Sequence, residues 1–303
     1  MLAAAFSTIS SASVQLNVPR GVLGPPEHFA NLQVCEQFLS VSRECSVSGN
    51  PVDFEVVRLA SRPACFHIGG LLSEAECDSL IASADAVKMK QAITAGGDER
   101  KNCGVAWLPV ESNEVAISIS AACEQLFLRP EMLETTEWSD GGHFENLQVL
   151  KYTQGGEFKL HYDANEQTPR VLTVLLYLNG VGETWFPLAL RDPADAAAVG
   201  EANPPRAAAL NAAKQLSPGR EHGWSGDGLV VAPKKGDAVA FYNLLDNGSA
   251  QVDRLSLHAG LPAPDEKSVA ALWYHADLKH GSDGMVPLAV GVGKQAQIYR
   301  KKQ

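Results

Sequence analysis

The sequence predicts an α+β fold: a small barrel or jelly roll of β-strands with helices flanking it on the N-terminal side. Three observations predict it. Two helical patterns, after Ser73 and after Ser112, come early in the chain. After residue 144 the pattern changes to strands, separated by turn sequences such as Lys234-Lys235-Gly236-Asp237 and Asp246-Asn247-Gly248. The segment Val171 to Asn179 alternates: Leu172, Val174, Leu176 and Leu178 form an aliphatic face, while Thr173 and Tyr177 put hydroxyls on the other. A strand with one greasy face and one face of selected polar groups suits a barrel whose interior holds a ligand.

The composition is that of an ordinary globular protein. The 303 residues are 45% hydrophobic and 20% charged, enough for one large catalytic domain with decorations or two small domains. A net charge of −10 argues against a nucleic-acid surface. The longest apolar stretch, Val171 to Leu178, is far too short to span a bilayer. Residues 1–20, rich in Ala and Ser, read as a flexible N-terminus rather than a targeting peptide. The expectation is a soluble protein of the cytoplasm or an organellar lumen. Six cysteines, at 35, 45, 65, 77, 103 and 123, show no zinc spacing. Their even number permits disulfides, although Cys77 and Cys123 fall on apolar helix faces and read as buried thiols.

In chain order, residues 1–53 read as an N-terminal extension wrapping onto the main domain, with a helix-like patch near Phe29 to Leu39. Strands are predicted at Phe54 to Leu59 and Ala64 to Ile68. Ser73-Glu74-Ala75-Glu76 is a capping box opening a helix to about Ala86, with Leu80, Ile81 and Ala84 on one face. A second helix puts Val115, Ile119, Ala122 and Leu126 at helical spacing and ends before Pro130. Strands follow at Leu147 to Tyr152, Phe158 to Asp163 and Val171 to Asn179, with a turn at Gln154-Gly155-Gly156 between the first two. Residues 190–226, rich in Ala, Pro and Gly, read as a long loop or insertion. Further strands are predicted at Gly228 to Ala232, Ala238 to Tyr242, Arg254 to His258 and Ser268 to His275. The main domain is placed at 54–280 and a tail at 281–303.

Three short stretches carry candidate chemistry. His161 and Asp163 are two apart on a predicted strand, so both side chains leave the same face. His258 points away from Leu255 and Leu257; if those two enter the core between the sheets, it points into the barrel. Two imidazoles and a carboxylate on one face of a metal leave open positions, as a non-haem Fe(II) centre requires. Lys267, nine positions on (267 − 258), and Tyr152 can enter the same cavity from neighbouring strands. A lysine inside a barrel is costly unless an anion pairs with it, so Lys267 either sits exposed at a strand end or meets a carboxylate ligand. The remaining histidines read as structural or surface residues.

The ordered segments LQVLKYTQGGEFKLHYD, RVLTVLLYLNGVGETWFP, VVAPKKGDAVAF and LSLHAGLPAPDEKSVAALWYH resemble the catalytic domain of prolyl 4-hydroxylases, within the Fe(II)- and 2-oxoglutarate-dependent dioxygenases. The resemblance runs from about residue 60 to 276 and implies a double-stranded β-helix (jelly roll) core. It implies that His161, Asp163 and His258 ligate iron. It also implies that Lys267 pairs with the distal carboxylate of 2-oxoglutarate and that Tyr152 and Thr184 line that pocket. Tyr177 and Thr173 are assigned to the cosubstrate pocket with them, and Arg170, Arg100 and Trp185 to the substrate side. Departures from the family pattern are Glu99-Arg100-Lys101-Asn102-Cys103-Gly104 in the loop expected to close over a peptide, a reduced Gly182-Glu183-Thr184 signature, and Ser268 in place of tryptophan after the lysine.

The implied activity is hydroxylation of a C–H bond in a prolyl residue of a protein or peptide. 2-Oxoglutarate would be decarboxylated to succinate, and ascorbate would restore ferrous iron. Three other readings stand beside it: the same chemistry on another side chain or a small molecule, a non-catalytic peptide-binding jelly roll, and a cupin-like metalloprotein. The single carboxylate ligand with a lysine anchor disfavours the last.

Overall fold

The computed structural model describes residues 23–92, 100–129, 145–165, 170–200, 202–219, 223–224, 227–232, 234–247 and 251–275. Residues 1–20, read as a flexible N-terminus, Glu99 of the substrate loop and the tail 281–303 lie outside them. The first element among the described residues is a single helical turn, α1 (Glu27–Ala30), which buries Phe29 against Phe66 and Phe127. The patch read as helical continues as strand β1 (Phe38–Glu44) instead. Its Leu39, Val41 and Arg43 alternate with exposed Phe38, Ser40, Ser42 and Glu44, a period of two that overrides the helical reading. β1 pairs along its whole length with β2 (Pro51–Ala60), so this part of the extension is an edge of the sheet.

β3 (Cys65–Gly69) leads to α2 (Glu74–Ala86), where the predicted capping box forms: the Ser73 hydroxyl accepts from the Glu76 amide, and Glu76 accepts from the Ser73 amide. Burial alone would raise the Glu76 carboxyl. Arg43 and the amides of Ser73 and Ser46 outweigh it and hold it at about 2. After β4 (Lys90–Gln91) and β5 (Arg100–Leu108) comes α3 (Glu114–Phe127), capped by Asn113. Its buried stripe is Val115, Ala116, Ile119, Ser120, Cys123 and Phe127; Ala122 and Leu126 are only partly covered.

The strands predicted on either side of Gln154-Gly155-Gly156 are one strand, β6 (Leu147–His161). Gly155, at φ +72°, turns its direction without breaking it. The first half of β6 pairs with β12 (Lys267–His275) and the second with β11 (His258–Gly260), while β5 borders both. β6 therefore joins the two sheets of the jelly roll. The remaining strands are β7 (Arg170–Tyr177), β8 (Thr184–Phe186), β9 (Leu229–Val231) and β10 (Ala238–Tyr242). The antiparallel order β1-β2-β3-β10-β7-β12-β6-β11-β8-β9 is that of a double-stranded β-helix.

The aliphatic face of β7 (Leu172, Val174, Leu176) joins Leu80, Ile119 and Phe127 in the core beneath α2 and α3. Each such side chain, fully buried, contributes roughly 1.5–3 kcal/mol. The hydroxyl face of the same strand is thereby turned into the barrel. Residues 190–226 are not all loop: they hold α4 (Pro193–Val199) and α5 (Arg206–Ala213). Leu255 and Leu257 pack with Ala209 and Ala213 of α5, not between the sheets, and Arg254–Ser256 is a 3-10 turn rather than a strand. A buried ion pair, Arg62–Asp253 at 3.0 Å, ties that turn to the start of β3. All six cysteines are free, and among the described residues no helix is long and apolar enough to cross a membrane.

Candidate active site

His161 is the last residue of β6, Asp163 follows two positions on, and β11 pairs His258 directly with His161. One ligand atom from each of the three lies within 4.8 Å of the others, and all three residues are buried. His161 Nε2 stands 3.5 Å from Asp163 Oδ1 and His258 Nε2 3.6 Å from Oδ2. The other ring nitrogens are engaged: His161 Nδ1–H donates to the Lys159 carbonyl at 2.7 Å, and His258 Nδ1–H to that of Ser256 at 2.9 Å. A carbonyl can only accept, so each Nδ1 carries the proton and each Nε2 presents its lone pair to the centre. Burial, together with His161, lowers His258 to about 4, so this imidazole is neutral near pH 7.

Asp163 is held from behind. Burial would raise its carboxyl, yet His258, His161 and Arg170 hold it well below the usual carboxylate range. Thr173 Oγ1 donates to Asp163 Oδ2 at 2.8 Å, and Asn243 Nδ2 donates to Thr173 Oγ1 at 2.8 Å. Arg170 Nη1 donates to the Asp163 carbonyl at 3.0 Å. Aromatic rings wall the histidines: Phe158 stacks on His161 with centroids 3.4 Å apart, and Phe241 meets His258 edge-on at 4.7 Å.

The cavity in front of the triad ends at Lys267. The pairing of Lys267 with Tyr152 sets both on one row of the sheet, and both line the cavity with Thr184 and Thr173. Lys267 is 3% exposed, and burial pushes its ammonium down to about 8. Among the described residues, its Nζ reaches only the Glu183 carbonyl, at 3.5 Å, and the Tyr152 ring, 5.7 Å from the centroid. Gly182 makes room for it: at φ +80°, a Cβ there would stand 2.6 Å from Lys267 Cδ.

The residues expected from the sequence divide into two sets. His161, Asp163, His258, Tyr152, Lys267, Thr184, Thr173 and Arg100 all line one cavity. Tyr177 lies one layer behind, donating to Thr184 Oγ1 at 2.9 Å. Arg170 does not line the cavity; it pairs with Glu145 at 2.6 Å and lies over the Trp273 ring at 3.9 Å. Trp185 turns away, its indole donating to the Asp227 carbonyl at 2.7 Å. Sequence reasoning missed Phe158, Gly182, Glu145, Asn243 and Trp273. For Phe158 no signal exists in the sequence: three positions from His161, it would leave the opposite face of a regular strand, and it stacks on His161 because the pairing of β6 with β11 shifts register between the two.

The donor set fits a divalent iron: two neutral imidazoles and one ionised carboxylate converge, with small-molecule space on one side. A buried ammonium that, among the described residues, makes no salt bridge fits an organic dicarboxylate at the far end. Residues 147–275 match the family model of the 2OG-Fe(II) oxygenase superfamily. The chain is 30% identical over 255 residues to Probable prolyl 4-hydroxylase 4 of Arabidopsis thaliana, covering 78% of this chain and 75% of that protein. It is 29% identical over 243 residues to Prolyl 4-hydroxylase 2 of the same plant, covering 74% of this chain and 71% of the relative. A solved structure of the viral collagen prolyl hydroxylase vCPH from Paramecium Bursaria Chlorella virus-1, in its 2OG complex, superposes with a TM-score of 0.44 at 24% identity, covering 69% of this chain and 94% of that one. On the 2OG-Fe(II) oxygenase match and the shared length with the plant relatives, this chain belongs to the prolyl 4-hydroxylase-like family of 2OG-Fe(II) oxygenases.

Proposed function

We propose that the protein hydroxylates prolyl residues of a protein or peptide, using Fe(II) and 2-oxoglutarate. His161, Asp163 and His258 would hold the iron through both Nε2 atoms and one carboxylate oxygen. Lys267 would bind the distal carboxylate of 2-oxoglutarate, with Tyr152 and Thr184 beside it. Burial keeps the Tyr152 phenol neutral, so its hydroxyl can donate. When bound, iron and 2-oxoglutarate would supply the activation of O2, the oxidant: one of its oxygen atoms enters the C–H bond and the other leaves in succinate, with CO2 released from 2-oxoglutarate. The chain's own work is orientation and exclusion of water. The Lys159 and Ser256 carbonyls fix the imidazole tautomers, and Thr173 fixes the carboxylate. Phe158, Phe186 and Phe241 keep the centre dry.

Arg170 and Arg100 remain the substrate-side residues of this reading, Arg170 through its stack on cavity-lining Trp273 and Arg100 at the cavity wall. With its indole bonded elsewhere, Trp185 has no substrate role in it. Ascorbate is kept as the reductant that restores the ferrous state after uncoupled turnover.

One observation carries the reading: a buried His-Asp-His convergence and a buried lysine that, among the described residues, makes no salt bridge line the same cavity. The test is incubation with Fe(II), 2-oxoglutarate and proline-containing peptides, followed by mass spectrometry for the gain of one oxygen atom. A gain on a prolyl residue, with matched succinate, is expected. Succinate formation with no prolyl peptide modified would move the substrate elsewhere, and no 2-oxoglutarate turnover at all would remove the enzyme.

A further inference from the structure

Arg62 does not line the cavity, yet this charged side chain is only 8% exposed. It lies between β2 and β3 and is bridged to Leu190, at the start of the insertion 190–226, whose amide donates to the Arg62 carbonyl at 2.7 Å. Its guanidinium faces two ways. Towards the core it grips Asp253, with Nε 3.1 Å from Oδ2 and Nη2 3.0 Å from Oδ1. Towards the insertion it donates through Nη1 to the carbonyl of Gly200, the residue that ends α4, and through Nη2 to that of Ala202 at 3.1 Å. A guanidinium can hold such a set because its N–H groups form a fixed planar fork, which an ammonium lacks.

Asp253 passes that grip on to the metal ligands. Its Oδ1 accepts from the Leu255 amide at 3.0 Å and so caps the 3-10 turn Arg254–Ser256. Its carbonyl accepts from the Ser256 amide at 2.9 Å and from the Ser256 hydroxyl at 2.7 Å. The Ser256 carbonyl is the acceptor that keeps the proton on His258 Nδ1. Asn203 of the insertion braces the other side of the turn: Nδ2 donates to the Val252 carbonyl and Oδ1 accepts from the Arg254 amide, both at 2.8 Å. Asp253 also reaches a second ligand. Its amide donates to the Asn243 carbonyl at 2.8 Å, and the Asn243 side chain holds Thr173, which holds Asp163. Ser256 is fully buried and Asp253 nearly so, so solvent cannot replace a lost partner.

We propose that Arg62 is a positioning residue of the iron centre, and that the insertion 190–226 is a brace behind His258 rather than a lid over the cavity. The inference rests on the iron-site reading and deepens it. None of the insertion's described residues lines the cavity. Replacing a buried ion pair by apolar groups of similar volume is often neutral for stability, so stability alone does not account for this one. Its geometry does. With the fork gone, the Asp253 carboxylate loses its fixed heading, the turn slackens, and the Ser256 carbonyl no longer faces Nδ1. The imidazole is then free to carry its proton on Nε2, the atom that must present a lone pair to a metal. His161 is spared, because its acceptor is the Lys159 carbonyl within β6, outside this chain of contacts.

The test combines Arg62→Met with Asp253→Asn, which leaves no unpaired charge behind. Asparagine at 253 can still cap Leu255, so this variant separates the grip of Arg62 from the cap. Asn203→Ala, at a half-buried position, is the milder second variant and decides by the same readings if the first does not fold. Ring-nitrogen shifts of the metal-free, isotope-labelled protein, read by NMR, give the tautomer of each histidine. Calorimetry with Mn(II) gives affinity, and a thermal melt gives the fold. In both variants His258 is expected to show an Nε2–H population that the wild type lacks, while His161 keeps its Nδ1–H form. Mn(II) affinity should fall roughly tenfold in the double variant, as for a lost outer partner of a ligand. It should fall roughly threefold in Asn203→Ala, the scale of one lost hydrogen bond. A lower melting temperature with both rings still in the Nδ1–H form, or double-variant Mn(II) affinity within about twofold of wild type, overturns the proposal and leaves Arg62 a support of the fold. If His258 changes tautomer in the variants but the wild type binds no Mn(II), the brace stands and the iron reading fails.

Discussion

Replacing Thr173 by valine keeps the volume of the side chain and removes one hydroxyl. That hydroxyl is 2.8 Å from Asp163 Oδ2, which it serves as donor, and 2.8 Å from Asn243 Nδ2, which it serves as acceptor. Thr173 is 2% exposed and Asn243 is fully buried, so water cannot take over either role. Losing a hydrogen bond to an ionised carboxylate costs about 1.5–3 kcal/mol, and stranding the Asn243 N–H adds about 1–3 kcal/mol. Strain relief and small shifts recover part of this, so a net loss of about 2–4 kcal/mol of stability is expected, lowering the melting temperature by several degrees. The metal-free carboxylate then rotates more freely. Removing such an outer partner of a metal ligand weakens metal binding roughly 10- to 100-fold. Calorimetric titration with Mn(II) reads the affinity and a thermal melt reads the fold. Thr173→Ser, which keeps the hydroxyl, should hold Mn(II) affinity within about threefold of wild type. A valine variant that melts earlier yet binds Mn(II) as well as wild type would show that Thr173 supports the fold and does not orient Asp163.

Two further outcomes follow from the lysine end of the cavity. Gly182→Ala puts a methyl 2.6 Å from Lys267 Cδ at φ +80°, a conformation that itself costs roughly 1–2 kcal/mol for a residue with a Cβ. The added methyl pushes the lysine into the space the cosubstrate would fill, so 2-oxoglutarate affinity should fall at least tenfold in calorimetry while Mn(II) affinity changes little; equal effects on both would refute the cradle. The second outcome concerns pH. Burial depresses Lys267 to about 8 in the empty site, and only its charged form attracts a dicarboxylate. Affinity for 2-oxoglutarate should therefore be constant below that pH and fall as pH rises through it, approaching tenfold per unit. Lys267→Met should bind weakly without that inflection; wild-type affinity flat to pH 10 would show that burial does not depress the ammonium, and Lys267→Met binding as tightly as wild type would exclude Lys267 as the anchor.

Much of the site was legible in the sequence because its key relations are local. His161 and Asp163 share a face because strands repeat every two residues. The Ser73–Glu76 box forms because its partners are three residues apart. The alternation of Leu172, Thr173, Val174, Leu175 and Leu176 separated a helix-facing side from a barrel-facing side. What stayed illegible depends on partners distant in the chain. The sequence places Trp185 on the substrate side, and nothing in it shows that the indole donates to the Asp227 carbonyl, 42 positions away. Arg170 was read toward the groove, and its partner Glu145 lies 25 positions earlier with no pattern linking them.

The capping of α2 and the two-residue step that puts His161 and Asp163 on one face were thus written in the chain itself, in short-range periodicities and local motifs. Tertiary structure alone decided that β6 runs unbroken through Gly155, that α5 buttresses Leu255 and Leu257 behind His258, and that Asn243 stands second in line behind Asp163. The physical reason is that periodicity tells which face a side chain leaves by. Which group it meets there is set by strand register and packing across dozens of residues, and these exist only once the chain has folded.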